Sequence, residues 1–318
     1  MKTCFLRCLK ALSVIEKISE SVSRYIVGLR DLLKLLNVSL LSRGHILLEG
    51  PPGVGKTMTT KFFAQSIGGT FKRVQMVPDL LPSDIIGTYY FDMENSVWTL
   101  RRGPIFSNVL LIDELNRAPP RTQAAFLEAM QERSVTIEGE TLTLPEPFLV
   151  LATQMPSGGE GTFTLTSVQV DRFAYYYPLT YPSQKEEVDI VSRVDSIEAA
   201  NITPVVSAED VLKVQDDVTK VYVSDKVKEY IVSLVNFVRG QKEVLLGPSP
   251  RASIWLYKGS RALAYIEGRD FVLPDHVKEI SKYVLLKKLT LKPEYEVEGL
   301  TSMDIVNRAL ESVEVPKV

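Results

Sequence analysis

The chain is 318 residues long and carries 37 lysines and arginines against 39 aspartates and glutamates, a formal charge of −2. That balance excludes a general nucleic-acid coat and a membrane-surface protein, both of which need a basic excess to meet phosphate or anionic lipid. With 45% hydrophobic, 8% aromatic and 24% charged residues, disorder, collagen and coiled coil are excluded as overall descriptions, and the length points to more than one domain.

Cys4 and Cys8 are the only cysteines, so neither a disulfide framework nor a four-ligand zinc site can be built from them. They stand one helical turn apart and read best as small hydrophobes. Arg7 and Lys10 interrupt the apolar runs around them, so neither a signal peptide nor membrane insertion is expected, and the expected location is cytoplasmic.

Apolar residues at helical spacing, Ala11, Val14, Ile15 and Ile18, predict a first helix, and Leu32, Leu33, Leu35 and Leu36 predict a second after Gly28. The period then changes. Residues 45–49 form a short apolar run closed by a Gly/Pro cluster, which reads as a buried parallel strand ending in a tight loop. Residues 57–66 read as a helix stopped by Gly68 and Gly69. A second buried strand is expected over 108–112, a helix over 120–131 with Ala125, Phe126, Ala129 and Met130 inward, and a third strand over 148–152. Strands alternating with helices predict a parallel sheet covered on both faces. Two stretches alternate with period two around polar turns, 88–101 and 134–144, and read as inserted β-hairpins. After Tyr177 and Pro178 no further strand is expected. Ser183 with Glu186 and Ser207 with Asp210 form capping boxes, and Val227, Tyr230, Ile231, Leu234 and Val238 mark one of several amphipathic helices. The expected organisation is an α/β domain over 1–180 and an all-helical domain over 181–318.

Gly50-Pro51-Pro52-Gly53-Val54-Gly55-Lys56-Thr57 fits G-x-x-x-x-G-K-[ST] directly after a predicted strand and at the head of a predicted helix. The glycines let backbone N–H groups converge on a phosphate chain, Lys56 brings a point charge to the β and γ phosphates of ATP, and the Thr57 hydroxyl can ligate Mg²⁺. Met58, next in the helix, completes this candidate set. A Gly-rich turn of no function is the plainer alternative, and the strand and helix context argues against it. Farther along, Val109-Leu110-Leu111-Ile112 runs into Asp113-Glu114. Ligands of open α/β sheets sit off the carboxyl edge, so Asp113 would hold the hydrated Mg²⁺ and Glu114 would orient and deprotonate the attacking water.

Taken together, LLEGPPGVGKT after Gly44-His45, Gly103-Pro104-Ile105-Phe106, LIDELNRAPPRTQAAFLEAMQER, LATQ before Pro156, and Val170-Asp171-Arg172-Phe173 resemble the MoxR family of AAA+ ATPases over nearly the whole chain. The segment Asn116 to Pro120 is distinctive of that family. The resemblance implies a P-loop AAA+ αβα sandwich followed by a helical lid domain, and a homo-oligomeric, usually hexameric, ring with ATP at subunit boundaries. It also implies chaperone-like activation or maturation of a protein complex, often with a partner that carries a von Willebrand factor A domain. Hairpin 88–101 would be the family's helix insertion, and hairpin 134–144 the one preceding its polar sensor. By the same resemblance, Arg172 stands where an arginine finger reaches the neighbouring subunit's γ-phosphate. Its alternative is a structural pair with Asp171. Gly247-Pro248-Ser249-Pro250-Arg251-Ala252 resembles the second sensor, with Arg251 directed at phosphates of its own or a neighbouring site. Tyr25, Ile26 and Val27, before Gly28, resemble the segment that lies against adenine. Arg117 and Arg121 are further boundary candidates. His45 and His276 have no cluster at ligand spacing and are given no catalytic or metal role.

One position departs from the family. In Ala152-Thr153-Gln154-Met155-Pro156 the family's sensor asparagine is Met155, whose thioether is a weak acceptor and no donor. Thr153 or Gln154 could take its place. The segment 161–168, which leads to Arg172, also departs. Two readings therefore compete with an ATP-driven remodeller: an ATP-binding assembly switch with weak hydrolysis, and a DNA-acting motor. The charge balance and the lack of an appended binding module weigh against nucleic acid as a partner.

Overall fold

A computed structural model describes residues 14–155 and 162–317. Ala11, Cys4 and Cys8 lie outside those residues. Helix α1 is described over 14–23, with Ile15, Ile18 and Val22 buried, and α2 is Arg30–Ser42. Strand β1 (Ile46–Glu49) leads through the glycine-rich loop into α3 (Lys56–Ser66), followed by β2 (Phe71–Gln75) and the short α4 (Pro82–Ile86). β3 (Gly87–Asp92) and β4 (Val97–Arg102) form the first expected hairpin. After β5 (Val109–Asp113) and α5 (Pro120–Glu132), β6 (Ser134–Ile137) and β7 (Glu140–Thr143) form the second. β8 (Leu149–Gln154), the one-turn α6 (Ser167–Val170) and β9 (Tyr175–Pro178) complete this half of the chain.

The principal sheet is parallel, in the order β2-β5-β8-β1-β9. Side chains of a strand alternate between faces, and each face here meets a core of its own. Ile46, Leu48, Val109, Leu111, Leu149 and Leu151 pack with α2 and α3, whereas Leu47, Leu110, Ile112, Val150 and Ala152 pack with Phe126 and Ala129 of α5 and with the second hairpin. Burial on both faces is the reason these three strands read as uninterrupted apolar runs.

The sequence predicts three strands for this sheet, and the fold has five. The two additions are its edges. β2 reads Phe-Lys-Arg-Val-Gln with only Val74 buried, and β9 reads Tyr-Tyr-Tyr-Pro with only Tyr175 buried. Each pairs on one side only, so its composition carries little of the central-strand signal.

The remaining chain is helical: α7 (Gln184–Ser192), α8 (Val194–Glu198), α9 (Ala208–Val218) and α10 (Asp225–Arg239), with both expected capping boxes formed. One correction applies to the expectation of no further strand. β10 (Val244–Leu246), which follows α10, pairs antiparallel with β11 (Thr290–Leu291). Segments of three and two residues are too short to show any period. Between them run α11 (Pro250–Ile266) and α12 (Pro274–Leu285), and after them α13 (Pro293–Val297) and α14 (Ser302–Ser312). α11 packs on α2 and α12. Val227, Leu234, Leu256 and Val277 belong to the same buried cluster as Leu36, Ile46 and Phe62, so helices and sheet share one continuous core. Among the described residues no helix is long and apolar enough to cross a membrane.

His45, just before β1, is fully engaged in that packing. Its Nε2 lies 3.0 Å from the Met130 carbonyl and its Nδ1 accepts from the Val150 N–H at 3.0 Å, which defines a neutral ring protonated on Nε2. Burial pushes its pKa from 6.5 down to about 4. The unfolded chain therefore takes up the proton first, so the stability contributed by neutral His45 is complete above pH 6.5 and is lost as pH falls through about 4. Denaturant titrations should show the wild type losing unfolding free energy across that window and His45→Gln losing less; equal pH slopes for the two proteins would contradict this role.

Candidate functional site

Parallel register brings the functional segments to one edge of the sheet. Leu48 lies opposite Thr153, Glu49 opposite Gln154, and Gln75 opposite Asp113. The loop after β1, the carboxylates after β5 and the polar end of β8 therefore leave the sheet side by side, at its carboxyl ends. Gly53 and Gly55 have φ of +80° and +81°, a region that side chains with a Cβ rarely enter, and this lets the loop turn its N–H groups inward. Gly55 is also the N-cap of α3 and supplies no side-chain cap, which leaves the first-turn N–H groups to an anionic ligand. Gly50 is required for a different reason: a Cβ there would stand 2.5 Å from the Leu179 carbonyl oxygen. Lys56 Nζ donates to the carbonyls of Gly50 and Pro51 at 3.2 Å each. Burial lowers its pKa, opposed by the charges of Asp113 and Glu114, so the ammonium lies within the field of both carboxylates.

The two carboxylates are held by different neighbours. Thr153 Oγ1 donates to Asp113 Oδ1 at 2.6 Å and accepts from the Glu114 N–H at 2.9 Å. Asp113 Oδ2 takes a 2.7 Å bond from Arg73 Nη2, while Glu114 Oε2 takes one of 2.9 Å from Gln75 Nε2 and one of 3.0 Å from Arg117 Nε. Glu114 has φ of +55°. A left-handed conformation costs a non-glycine residue roughly 1 kcal/mol, a strain found disproportionately at functional sites. Here it swings the chain out of β5 into the 3₁₀ turn Leu115–Arg117. Thr57 and Asp113 offer one hydroxyl and one carboxylate. That all-oxygen set suits Mg²⁺, which takes few protein ligands and completes its shell with phosphate oxygens and water. Among the described residues no cluster of three or more His, Cys, Asp or Glu forms a protein-only metal cage.

Beside the loop lies a cavity of about 250 Å³. Tyr25, Ile26 and Val27, the segment whose resemblance implies an adenine contact, line it with Val54 and Met58 of the phosphate-loop set, and Gly53 and Gly55 border it. Tyr177, Leu179, Tyr181, Ile190 and Ile197 also contribute. No motif in the sequence marks these five, because they reach the loop only through the pairing of β9 with β1 and the placement of α7 and α8.

Arg172 and Arg251 do not line that cavity. Arg251 lies instead against Asp171, which accepts from Ser249 Oγ at 2.8 Å and pairs with Arg251 Nη1 at 3.3 Å. Arg172 Nη1 donates to the Leu127 carbonyl at 3.1 Å, so the simple Arg172–Asp171 pair is not formed. Arg117 is tied to Glu114, and Arg121 is exposed. His276 caps α12 and bonds Glu267 at 3.0 Å.

Around the departures from the family's pattern the neighbours are defined, with Pro156 and Gly161 outside the described residues. Asn116 clamps the backbone of Met155, accepting from its N–H and donating to its carbonyl, both at 3.2 Å. Gln154 donates its amide to Glu49. Thr166 caps α6 in a box with Gln169, which in turn bonds Gln123 at 2.8 Å. Arg73 and Gln75 carry no sequence signal for the site: β2 has one buried residue and no apolar period, so only its pairing with β5 sets them beside Asp113 and Glu114.

Comparison with known proteins places this geometry in context. A family model described as the ATPase family associated with various cellular activities (AAA) matches residues 45–175, and one described as an AAA lid domain matches residues 238–309. The chain is 43% identical over 301 residues to the uncharacterized protein YeaC of Bacillus subtilis, covering 94% of each. It is 39% identical over 313 residues to Chaperone MoxR1 of Mycobacterium tuberculosis, covering 96% of this chain and 83% of that one. The crystal structure of a candidate ATPase from Cytophaga hutchinsonii superposes with a TM-score of 0.93 at 36% identity, over 99% of both chains. A P-loop αβα sandwich, a helical lid and relatives of this identity lead to one conclusion: the chain belongs to the MoxR family of AAA+ ATPases.

Proposed function

We propose that the protein binds ATP with Mg²⁺ at Gly50 to Met58 and hydrolyses it, within a hexameric homo-oligomer in the cytoplasm, to drive chaperone-like remodelling or maturation of a protein complex. The observation that carries this reading is the convergence of Lys56, Asp113, Glu114 and Thr153 at one edge of the sheet. In the same reading residues 1–180 are the nucleotide-binding domain and 181–318 the lid. A client with a von Willebrand factor A domain is the finer part of the proposal and rests on the family resemblance.

Each residue has a definite task. Loop N–H groups and Lys56 hold the phosphates, and Tyr25, Ile26 and Val27 pack against adenine. Thr57 and Asp113 hold Mg²⁺, which when bound neutralises charge on the β and γ phosphate oxygens. Asp113, paired with Arg73, would offer its carboxylate to that cation. Glu114, aimed by Gln75 and Arg117, accepts the proton of the attacking water as its oxygen joins the γ phosphorus and the bond to the ADP oxygen breaks. Arg172 of an adjacent subunit stabilises the transferring phosphoryl, which makes turnover depend on assembly. Arg251, held by Asp171, is directed at the phosphates of its own or a neighbouring site.

A second reading, an assembly switch with weak hydrolysis, is favoured by one specific observation. Thr153 spends its proton on Asp113 and Gln154 directs its amide to Glu49, while Met155 has no donor of its own. A missing oriented donor costs on the order of 10²-fold in rate at comparable sites.

ATP turnover measured alongside light-scattering mass, with and without nucleotide, tests both readings. Glu114→Gln should retain ATP binding and lose turnover by ~10²-fold or more. Arg172→Ala should also lose turnover, and mixing it with Glu114→Gln should restore part of it, since some boundaries then pair an intact Glu114 with an intact Arg172. A wild type that is no faster than Glu114→Gln would sink the motor reading. Met155→Asn should raise the wild-type rate by up to ~10²-fold if the switch reading holds; an unchanged rate would overturn it.

A further inference from the structure

The lid touches the strand ends through two adjacent lysines that follow α12. Lys287 Nζ lies 2.7 Å from Glu49 Oε2, the residue before Gly50, and Gln154 donates to the same oxygen. Lys288 is 4% exposed. Its ammonium donates to the Phe173 carbonyl at 2.7 Å and to the Asp171 carbonyl at 2.9 Å, and stands 3.5 Å from Asp171 Oδ1. These acceptors lie on either side of Arg172 in the chain. An ammonium has three donors, and all three here serve residues that flank one arginine.

Arg172 has little to hold its own direction. Among the described residues, one bond, from Nη1 to the Leu127 carbonyl, ties the guanidinium, and its buried Nε has no hydrogen-bond partner. A side chain with so few bonds takes its aim from its backbone, and that backbone is gripped by Lys288. A buried ammonium is costly unless it is paired, and burial draws this one down to a pKa of about 8 against the raising effect of Asp171.

We propose that Lys288 is a positioning residue for Arg172, fixing the direction in which the guanidinium projects and tying that direction to the placement of the lid. Lys287, one residue earlier, ties the same stretch of lid to the end of β1 and the start of the phosphate loop. The lid thus grips both halves of a catalytic boundary, the loop of its own site through Glu49 and the finger offered to the next site through Asp171 and Phe173. This inference rests on the reading of Arg172 as a residue that acts on a neighbour's nucleotide.

The test uses the full chain and steady-state ATP turnover in Lys288→Met, Lys288→Arg, Arg172→Ala and the double variants. Lys288→Met should lower kcat by ~10-fold or more with the KM for ATP within about twofold of wild type, because aim is lost and nucleotide binding is not. Lys288→Arg, which retains the cation but cannot reproduce three bonds from one point, should fold and show a smaller loss in kcat alone. In the Arg172→Ala background neither substitution should lower kcat further. Wild-type kcat in Lys288→Arg and Lys288→Met beside an inactive Arg172→Ala would overturn the inference. So would an equal loss in both backgrounds, the mark of a merely structural lysine. Wild-type turnover in Arg172→Ala would instead remove the finger reading itself. Should Lys288→Met not fold, the Lys288→Arg pair of measurements decides alone.

Discussion

The hydroxyl of Thr153 is the contact on which the rest of the site depends. It donates to the Asp113 carboxylate and accepts from the Glu114 N–H, so one small side chain holds both the Asp113 carboxylate and the backbone turn of the next residue. The left-handed turn at Glu114 would be poorly held without that acceptor. Parallel pairing of β1, β5 and β8 makes the contact possible, because it ends three strands at a common edge. Two cores, one on each face, keep those strands in register, and a one-residue slip would send every side chain to the wrong face.

Carboxylates at the carboxyl edge, and Asp171 ahead of β9 at the opposite end of the strands, are each held in an ion pair. Asp113 holds Arg73, Glu114 holds Arg117, Glu49 holds Lys287, and Asp171 holds Arg251. The near-neutral total of the chain is compatible with strong local fields of both signs. Arg73 comes from β2 and Arg117 from the 3₁₀ turn after β5, whereas Lys287 and Arg251 come from the helical second half of the chain.

The legible parts of the fold were those where burial is symmetric or turn chemistry is local. Central strands buried on both faces stood out as apolar runs, and the polar centres of both hairpins and the boxes at Ser183 and Ser207 announced themselves within four residues. β2 and β9 did not, since an edge strand with one or two buried residues has no period to detect. The P-loop and Asp113-Glu114 were equally legible, because each is a contiguous string whose chemistry requires adjacency. Gln75, Arg73 and Lys288 belong to the site by pairing and packing alone.

Sequence alone determined the class of fold, the phosphate loop, the two carboxylates and the family, since each rests on residue types at short, fixed spacing. Tertiary structure decided which neighbours those groups keep. It turned Arg251 toward Asp171, set Arg172 against the Leu127 carbonyl, committed Thr153 and Gln154 to carboxylates, and buried a lysine side chain against the backbone around Arg172. Those choices depend on contacts between residues up to 117 positions apart. Such contacts leave no local pattern, because the free energy that selects them comes from burial and pairing in the assembled core.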